Sequence, residues 1–261
     1  SILEELLEQN GARTGEPSYT LHTNDEMDPI TFEDPTAQVS YNGNGTAWMV
    51  KDINTGSDWG ACQGCANLMV IGNMMYFTAE TNANGRELWR TNGTEDGTHM
   101  VKDIDFGTSD SDPEYLTVMG NTLYFRADDG DGDKLWKSDG TEDGTVIVNN
   151  IARNPKDIIA VGNTLYFQAQ DGSHGQEVWK SDGTEAGTVM VKDIVNGTHA
   201  HSYPEQFTAV GNVVYFVTYD SDIGRELWRT DGTEDGTYMV KQIYEGSSAV
   251  SYTHLTLPTT L

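Results

Sequence analysis

Residues 224–243 read GRELWRTDGTEDGTYMVKQI, and near-copies of that phrase occur three more times. They are GRELWRTNGTEDGTHMVKDI at 85–104, DKLWKSDGTEDGTVIVNNI at 133–151 and GQEVWKSDGTEAGTVMVKDI at 175–194. Their tryptophans, Trp89, Trp136, Trp179 and Trp228, lie 47, 43 and 49 residues apart. A period of about 40–50 residues marks an array of supersecondary units rather than one irregular fold. A phrase used four times belongs to a scaffold, so a unique site has to lie in what the repeat leaves out.

Working outward, each tryptophan phrase is preceded by a second one: LMVIGNMMYFTA (68–79), LTVMGNTLYFRA (116–127), IIAVGNTLYFQA (158–169) and FTAVGNVVYFVT (207–218). Each splits two apolar runs with Gly-Asn, and both residues tolerate the positive φ that tight hairpin turns require. The flanking runs are aromatic and β-branched without helical spacing, which predicts strands A and B. The tryptophan strand is C. Asp-Gly-Thr-Glu-Asp-Gly-Thr, whole at 139–145 and 231–237, is a turn by composition, and Met-Val-Lys-Asp-Ile (100–104) is strand D.

Strand B reads as an apolar run rather than a clean alternation, so both faces of the unit are expected to be covered. Sheets stacked on like sheets form a β-propeller. A β-solenoid is the rival, but its coils are shorter and lack paired hairpins. The predicted fold is therefore all-β, a β-propeller-like array of four-stranded antiparallel blades, about 66–104, 114–151, 156–194 and 205–243. Strand D ends in Lys51-Asp52, Lys102-Asp103 and Lys192-Asp193, read here as charges that blunt an outer edge.

Residues 41–250 hold the array, with a lone strand D at 45–53 before the first blade. Thr253 to Leu257 stands where a fifth strand A would begin, so four whole blades in an incomplete or open ring are expected. Residues 251–261 abandon the acidic composition and read as a non-native tail. Residues 1–40 are a polar lead-in or linker, in which Ile2, Leu3, Leu6 and Leu7 fall on one side of a short helix.

The 261 residues carry 41 acidic and 15 basic side chains, a net charge of −26. Such a chain repels nucleic acid and anionic membrane surfaces. No hydrophobic stretch is long enough to insert in a membrane. The two cysteines, Cys62 and Cys65, lack the second ligand pair of a zinc ribbon and the βαβ setting of a redox motif. A small disulfide loop or two free thiols remain, the disulfide being favoured in a secreted protein.

Glu226 to Thr233, Glu-Leu-Trp-Arg-Thr-Asp-Gly-Thr, resembles the signature of the ELWxxDGT repeat family of bacterial and archaeal proteins. The resemblance covers roughly residues 45–257. Asp133-Lys134-Leu135-Trp136 and Gln176-Glu177-Val178-Trp179 lose parts of the motif, Asn92 replaces the turn aspartate, and Asn149-Asn150 replaces Lys-Asp. The resemblance implies a secreted or surface-attached chain, often bearing adhesion-type modules. The C–D turn is also similar in placement to the Asp-box of sialidase-like propellers, where the box is structural.

Outside the repeat, Asp128-Asp129-Gly130-Asp131-Gly132-Asp133 puts carboxylates at alternate positions. Asp129, Asp131 and Asp133 are the candidate ligands for a calcium ion, which takes six to eight oxygens. The loop is not an EF-hand, since its twelfth position is Gly140. His199 and His201 point to one strand face but lack an evident third ligand. A sialidase-type site needs converging arginines and a tyrosine nucleophile. Arg86, Arg90, Arg225 and Arg229 sit at repeat positions; Arg13, Arg126 and Arg153 do not. Asn44, Asn92 and Asn196 head glycosylation sequons within the repeated Gly-Thr.

The function expected is a non-catalytic extracellular or cell-surface binding or adhesion module, with a glycan or a surface protein as partner. The alternatives are a carbohydrate-active enzyme on the same scaffold and a structural spacer. Neither catalytic residues nor a cofactor other than calcium is indicated.

Overall fold

The structure, a computed structural model, describes residues 50–53, 68–197, 199–220 and 224–242. The expectations for the lead-in, residues 45–49, the cysteine pair, Asn44 and the 251–261 tail lie outside these residues, and the described part of the lone strand D expected at 45–53, residues 50–53, is not strand. Every regular element among the described residues is a strand. The first unit comprises β1 (Met69–Ile71), β2 (Met74–Thr81), β3 (Gly85–Thr91) and β4 (His99–Lys102). The second begins with β5 (Glu114–Met119), β6 (Thr122–Asp128) and β7 (Asp133–Ser138). Next come β8 (Val146–Val161), β9 (Thr164–Gln170), β10 (Glu177–Ser181) and β11 (Val189–Lys192). The last unit is β12 (Glu205–Val210), β13 (Val213–Asp220), β14 (Gly224–Thr230) and β15 (Tyr238–Lys241).

Pairing is antiparallel between chain neighbours throughout, so each unit is the A–B–C–D meander expected. The tryptophans occupy one register position: Trp89 faces Phe77, Trp136 Phe125, Trp179 Phe167 and Trp228 Phe216 across strands B and C. Cores form between units rather than within them. Tyr76, Leu88 and Val101 of the first pack on Leu123, Phe125 and Trp136 of the second, and the arrangement recurs at the next two junctions. This face-to-face stacking of twisted antiparallel sheets is a β-propeller-like array.

Two expectations change. The second and third units are not separate sheets, because β8 is at once strand D of one and strand A of the other. The result is a seven-stranded sheet ordered β11-β10-β9-β8-β7-β6-β5. The connector there is short, whereas 105–113 and 195–204 form long loops. The Gly-Asn turns also use positive φ only at glycine: Gly72, Gly120, Gly162 and Gly211 lie at 58°, 64°, 59° and 61°, while their asparagines do not. Glycine at the first central position alone fits a type II′ turn.

The aspartate, threonine and glycine letters of the turn phrase are each accounted for by contacts within the turn. Asp139 Oδ1 accepts from Thr141 N at 2.9 Å and Thr141 Oγ1 at 2.7 Å, and Thr141 Oγ1 accepts from Gly144 N at 2.9 Å. Thr145 Oγ1 donates to Thr141 O at 2.6 Å and lies 2.7 Å from Ser138 Oγ. A Cβ on Gly144 would sit 2.0 Å from Asp139 Oδ1. The same contacts recur in the other three units. Nothing in the structure explains why Glu95, Glu142, Glu185 and Glu234 recur, since all four are exposed.

The turn is also what the preceding unit grips. Gly140, Gly183 and Gly232 are buried, and a Cβ on them would lie 2.3, 2.2 and 2.5 Å from the hydroxyls of Tyr76, Tyr124 and Tyr166 respectively. Lys137 Nζ and Lys180 Nζ donate to Gly183 O and Gly232 O at 2.9 and 2.7 Å. Lys51 and the strand-D lysines Lys102 and Lys192 donate to Thr98 O, Thr145 O and Thr237 O at 2.8, 2.9 and 2.9 Å. The Lys-Asp lysine is therefore a tether to the next blade. The reading of it as an edge-blunting charge is corrected.

The glutamate of Glu-Leu-Trp has an equally specific task. Glu87 is fully buried and accepts from Ile104 N, Asp105 N and Ser111 Oγ, the last at 2.5 Å. Glu177 does the same with Ile194 N, Ser202 N and Ser202 Oγ. Both carboxylates thus clasp the long loop leading to the next blade. In the second unit, where that loop is short, Lys134 replaces glutamate and pairs with Asp129.

Candidate binding cleft

The first strands of the units converge. Met69 of β1, Tyr115 to Val118 of β5, Asp157 to Ala160 of β8, and Gln206 with Phe207 at the start of β12 line an open cleft of about 720 Å³. Each later strand enters it through one corner, Pro113-Glu114, Pro155-Lys156 or Pro204-Glu205. Positive φ precedes the corner at Asp112, Asn154 and Tyr203 (44°, 54° and 46°). It follows at Tyr115, Asp157 and Gln206 (55°, 52° and 59°). Proline disfavours αR in the residue before it but does not require positive φ. All three prolines are buried. A register shift follows each corner, between Glu114 and Thr117, Lys156 and Ile159, and Glu205 and Thr208. Such bulges re-aim side chains. Here all three carry the post-corner residue to the cleft.

Those three residues differ, although their flanks repeat. Tyr115 is half-buried and lies beneath the Arg126 guanidinium, 5.4 Å from the ring centroid. Burial, with the nearby Asp157 charge, pushes its phenol above the ordinary range, and Arg126 opposes this. Burial likewise raises the Asp157 carboxyl, against a hydrogen bond from the Gln206 backbone N–H. Thr117 Oγ1 donates to Ile158 O at 2.8 Å and pins β5 to β8 across the floor. Arg126, the non-repeat arginine on strand B, donates to Glu114 Oε2 at 2.5 Å and Asn154 Oδ1 at 3.5 Å. Its Nε lies 3.6 Å from Asp133 Oδ1. Its charge is spent on holding the rim.

The residues predicted for calcium lie elsewhere and do not converge. Asp129 pairs with Lys134, which pulls its carboxyl down against burial; Asp133 faces Arg126, and Asp131 is exposed. Among the described residues no group of three or more His, Cys, Asp or Glu is placed to hold a metal ion. A calcium ion in this loop would have to displace Lys134. His199 and His201 lie in the 195–204 loop rather than on a strand face; His201 Nδ1 accepts from Gln176 N at 2.8 Å, and His174 pairs with Asp171.

Sequence reasoning missed Tyr115, Asp157 and Gln206. The signal was present in SDPEYLTV, RNPKDIIAV and SYPEQFTAV, where Pro-x-x recurs at the three later entries with a different third residue.

No family model and no curated protein matches the sequence. Solved structures do. TolB from Acinetobacter baumannii is similar at 15% identity and a TM-score of 0.42, over 66% of this chain and 41% of that one. The Pyrococcus horikoshii acylaminoacyl peptidase is similar at 11% identity and 0.46, over 67% and 27%. A chain of a Nidogen/Laminin complex is similar at 15% identity and 0.33, over 64% and 75%. The chain thus spans less than two thirds of the length of the first two. Likeness at this level carries no function across. Among the described residues there is no helix long and apolar enough to cross a membrane.

Proposed function

We propose that this chain is a non-catalytic binding module of the ELWxxDGT repeat family, acting outside the cell and taking a glycan in the cleft. One observation carries the reading. At a single backbone position the scaffold presents three different side chains, Tyr115, Asp157 and Gln206, to one open cleft. Their chemistry suits a hydroxyl-rich ligand with apolar C–H faces. A tyrosine ring offers a flat apolar surface with a polar tip, a carboxylate accepts from paired hydroxyls, and an amide both donates and accepts. The carbohydrate-active alternative is less well supported, since a tyrosine nucleophile needs its phenol lowered and that of Tyr115 is raised.

The test is a glycan array followed by calorimetry on the whole chain. Tyr115→Ala and Asp157→Asn are each expected to weaken binding about tenfold or more. Glu142→Gln, on a distant turn, should leave it unchanged. Absence of any glycan ligand, or binding that survives both cleft substitutions, would overturn the proposal. Retention of a protein partner under the same substitutions would move the function off the cleft.

A further inference from the structure

We infer that the outer face of the last sheet, β12 to β15, is a docking surface for a further unit of this same repeat. The inference is independent of the glycan reading, because no cleft residue takes part. Its basis is a comparison of like with like. Tyr76, Tyr124 and Tyr166 are 3%, 5% and 5% exposed, each covered by the next unit's turn; the equivalent Tyr215 is only half-buried. Val101, Val148 and Val191 are 5%, 5% and 7% exposed, whereas Val240 is 43% exposed. Leu88, Leu135 and Val178 are wholly buried, and Leu227 is not.

The polar half of the grip is equally ready. Lys102 and Lys192 reach carbonyls of the following turn, as does Asn149 at Glu185 O. Lys241 stands in their place, exposed and reaching no carbonyl among the described residues. Lys137 and Lys180 bind the turn-glycine carbonyl ahead of them. Arg229 instead lies over its own neighbour Tyr238 at 5.2 Å, with Nε buried and reaching no hydrogen-bond partner among the described residues. Tyr215, Arg229 and Lys241 therefore repeat a grip whose object is known from three junctions: an acidic Asx-Gly-Thr-Glu-x-Gly-Thr turn. Two basic groups facing such a turn are complementary to it even in a chain of net charge −26.

The occupant is not a second copy of this chain docking through its first unit. That unit's turn already holds Lys51 at Thr98 O, and Phe77 and Trp89 in front of it are covered, with Ile53 and Leu68 packed on them. The strand-D position that Lys241 would need is taken. What fits is a repeat unit whose front face is free.

The experiment duplicates residues 193–241 once, directly after Lys241, and follows Tyr215 by chemical footprinting and strand amides by hydrogen exchange. In the unmodified chain Tyr215 should be reactive while Tyr76, Tyr124 and Tyr166 are protected. In the extended chain Tyr215 should become about tenfold less reactive, and exchange in β13 to β15 should slow toward that of β9 to β11. Gly232→Val in the added copy alone should restore the reactivity. An added unit that folds but leaves Tyr215 reactive overturns the inference. So does a monomeric unmodified chain in which Tyr215 is as protected as Tyr166, a measurement that needs no variant to fold. Concentration-dependent assembly abolished by Gly93→Val would make the occupant a second copy and overturn the assignment made here.

Discussion

A single atom position separates what the repeat needs locally from what it needs between blades. Gly93 and Gly183 have nearly the same φ, 88° and 86°, in the same turn phrase. A Cβ on Gly93 meets nothing within 4 Å among the described residues, whereas one on Gly183 would lie 2.2 Å from the Tyr124 hydroxyl. Gly93→Ala should cost only the backbone strain, roughly 1–2 kcal/mol. Gly183→Ala adds overpacking at the junction and should exceed it by roughly 1–3 kcal/mol. Chemical denaturation of the two variants measures the difference; equal losses would show that the tyrosine does not bear on the turn. The turn was legible in the sequence because glycine and Asx residues announce local conformation. The grip of the preceding blade was not, because a lysine written Lys-Asp looks the same whether it meets solvent or a carbonyl 45 residues ahead, as Lys192 does at Thr237.

At the scale of the element, the clasp on the interblade loops sets a pH dependence. Burial raises Glu87 and Glu177 to about 7, against the hydrogen bonds they accept from Ser111 and Ser202 and from backbone amides. An acid raised in the folded state stabilises fully below its unfolded value near 4.5, and that contribution is lost as pH rises toward 7. The turn aspartates Asp139, Asp182 and Asp231 are lowered by hydrogen bonds from Thr141, Thr184 and Thr233, so their contribution fades as pH falls below the ordinary carboxylate range. Melting temperature should therefore peak on the acid side of neutrality, at about pH 4.5–5.5. Glu177→Gln should flatten the limb between there and pH 7. A maximum at pH 7 or above would mean that the clasped carboxylates are ionised without cost. The sequence showed the recurring glutamate and its loss at Lys134 but not their meaning, which depends on loop length. Lys134→Glu, which restores the repeat letter, should destabilise by roughly 2–4 kcal/mol, because a buried carboxylate would then face Asp129. A stabilising result would refute the link between clasp and loop.

For the whole molecule, position in the array decides the worth of identical residues. In a stack where each unit touches only its neighbours, stability is a sum of unit and junction contributions, and an end unit lacks one junction. Trp179 is 3% exposed in the core between the second and third units, where β8 fuses both into one sheet. Trp228 likewise faces a phenylalanine across strand B and holds the same place in the repeated phrase, yet it is only partly buried at the edge of the last core. The four-fold phrase made the two look equivalent, and nothing in the residues themselves distinguishes an inner blade from an outer one. Trp179→Ala should cost about 3–5 kcal/mol, as for a fully enclosed aromatic. Trp228→Ala should cost about half as much, since part of its surface is already in water. Hydrogen exchange should rank the same way, slowest in β6 to β10 and fastest in β14 and β15, with the last unit opening before the global transition. Equal costs at the two tryptophans, or uniform protection from β2 to β15, would mean that the array unfolds as one block and that the outer face contributes as much as the junctions within.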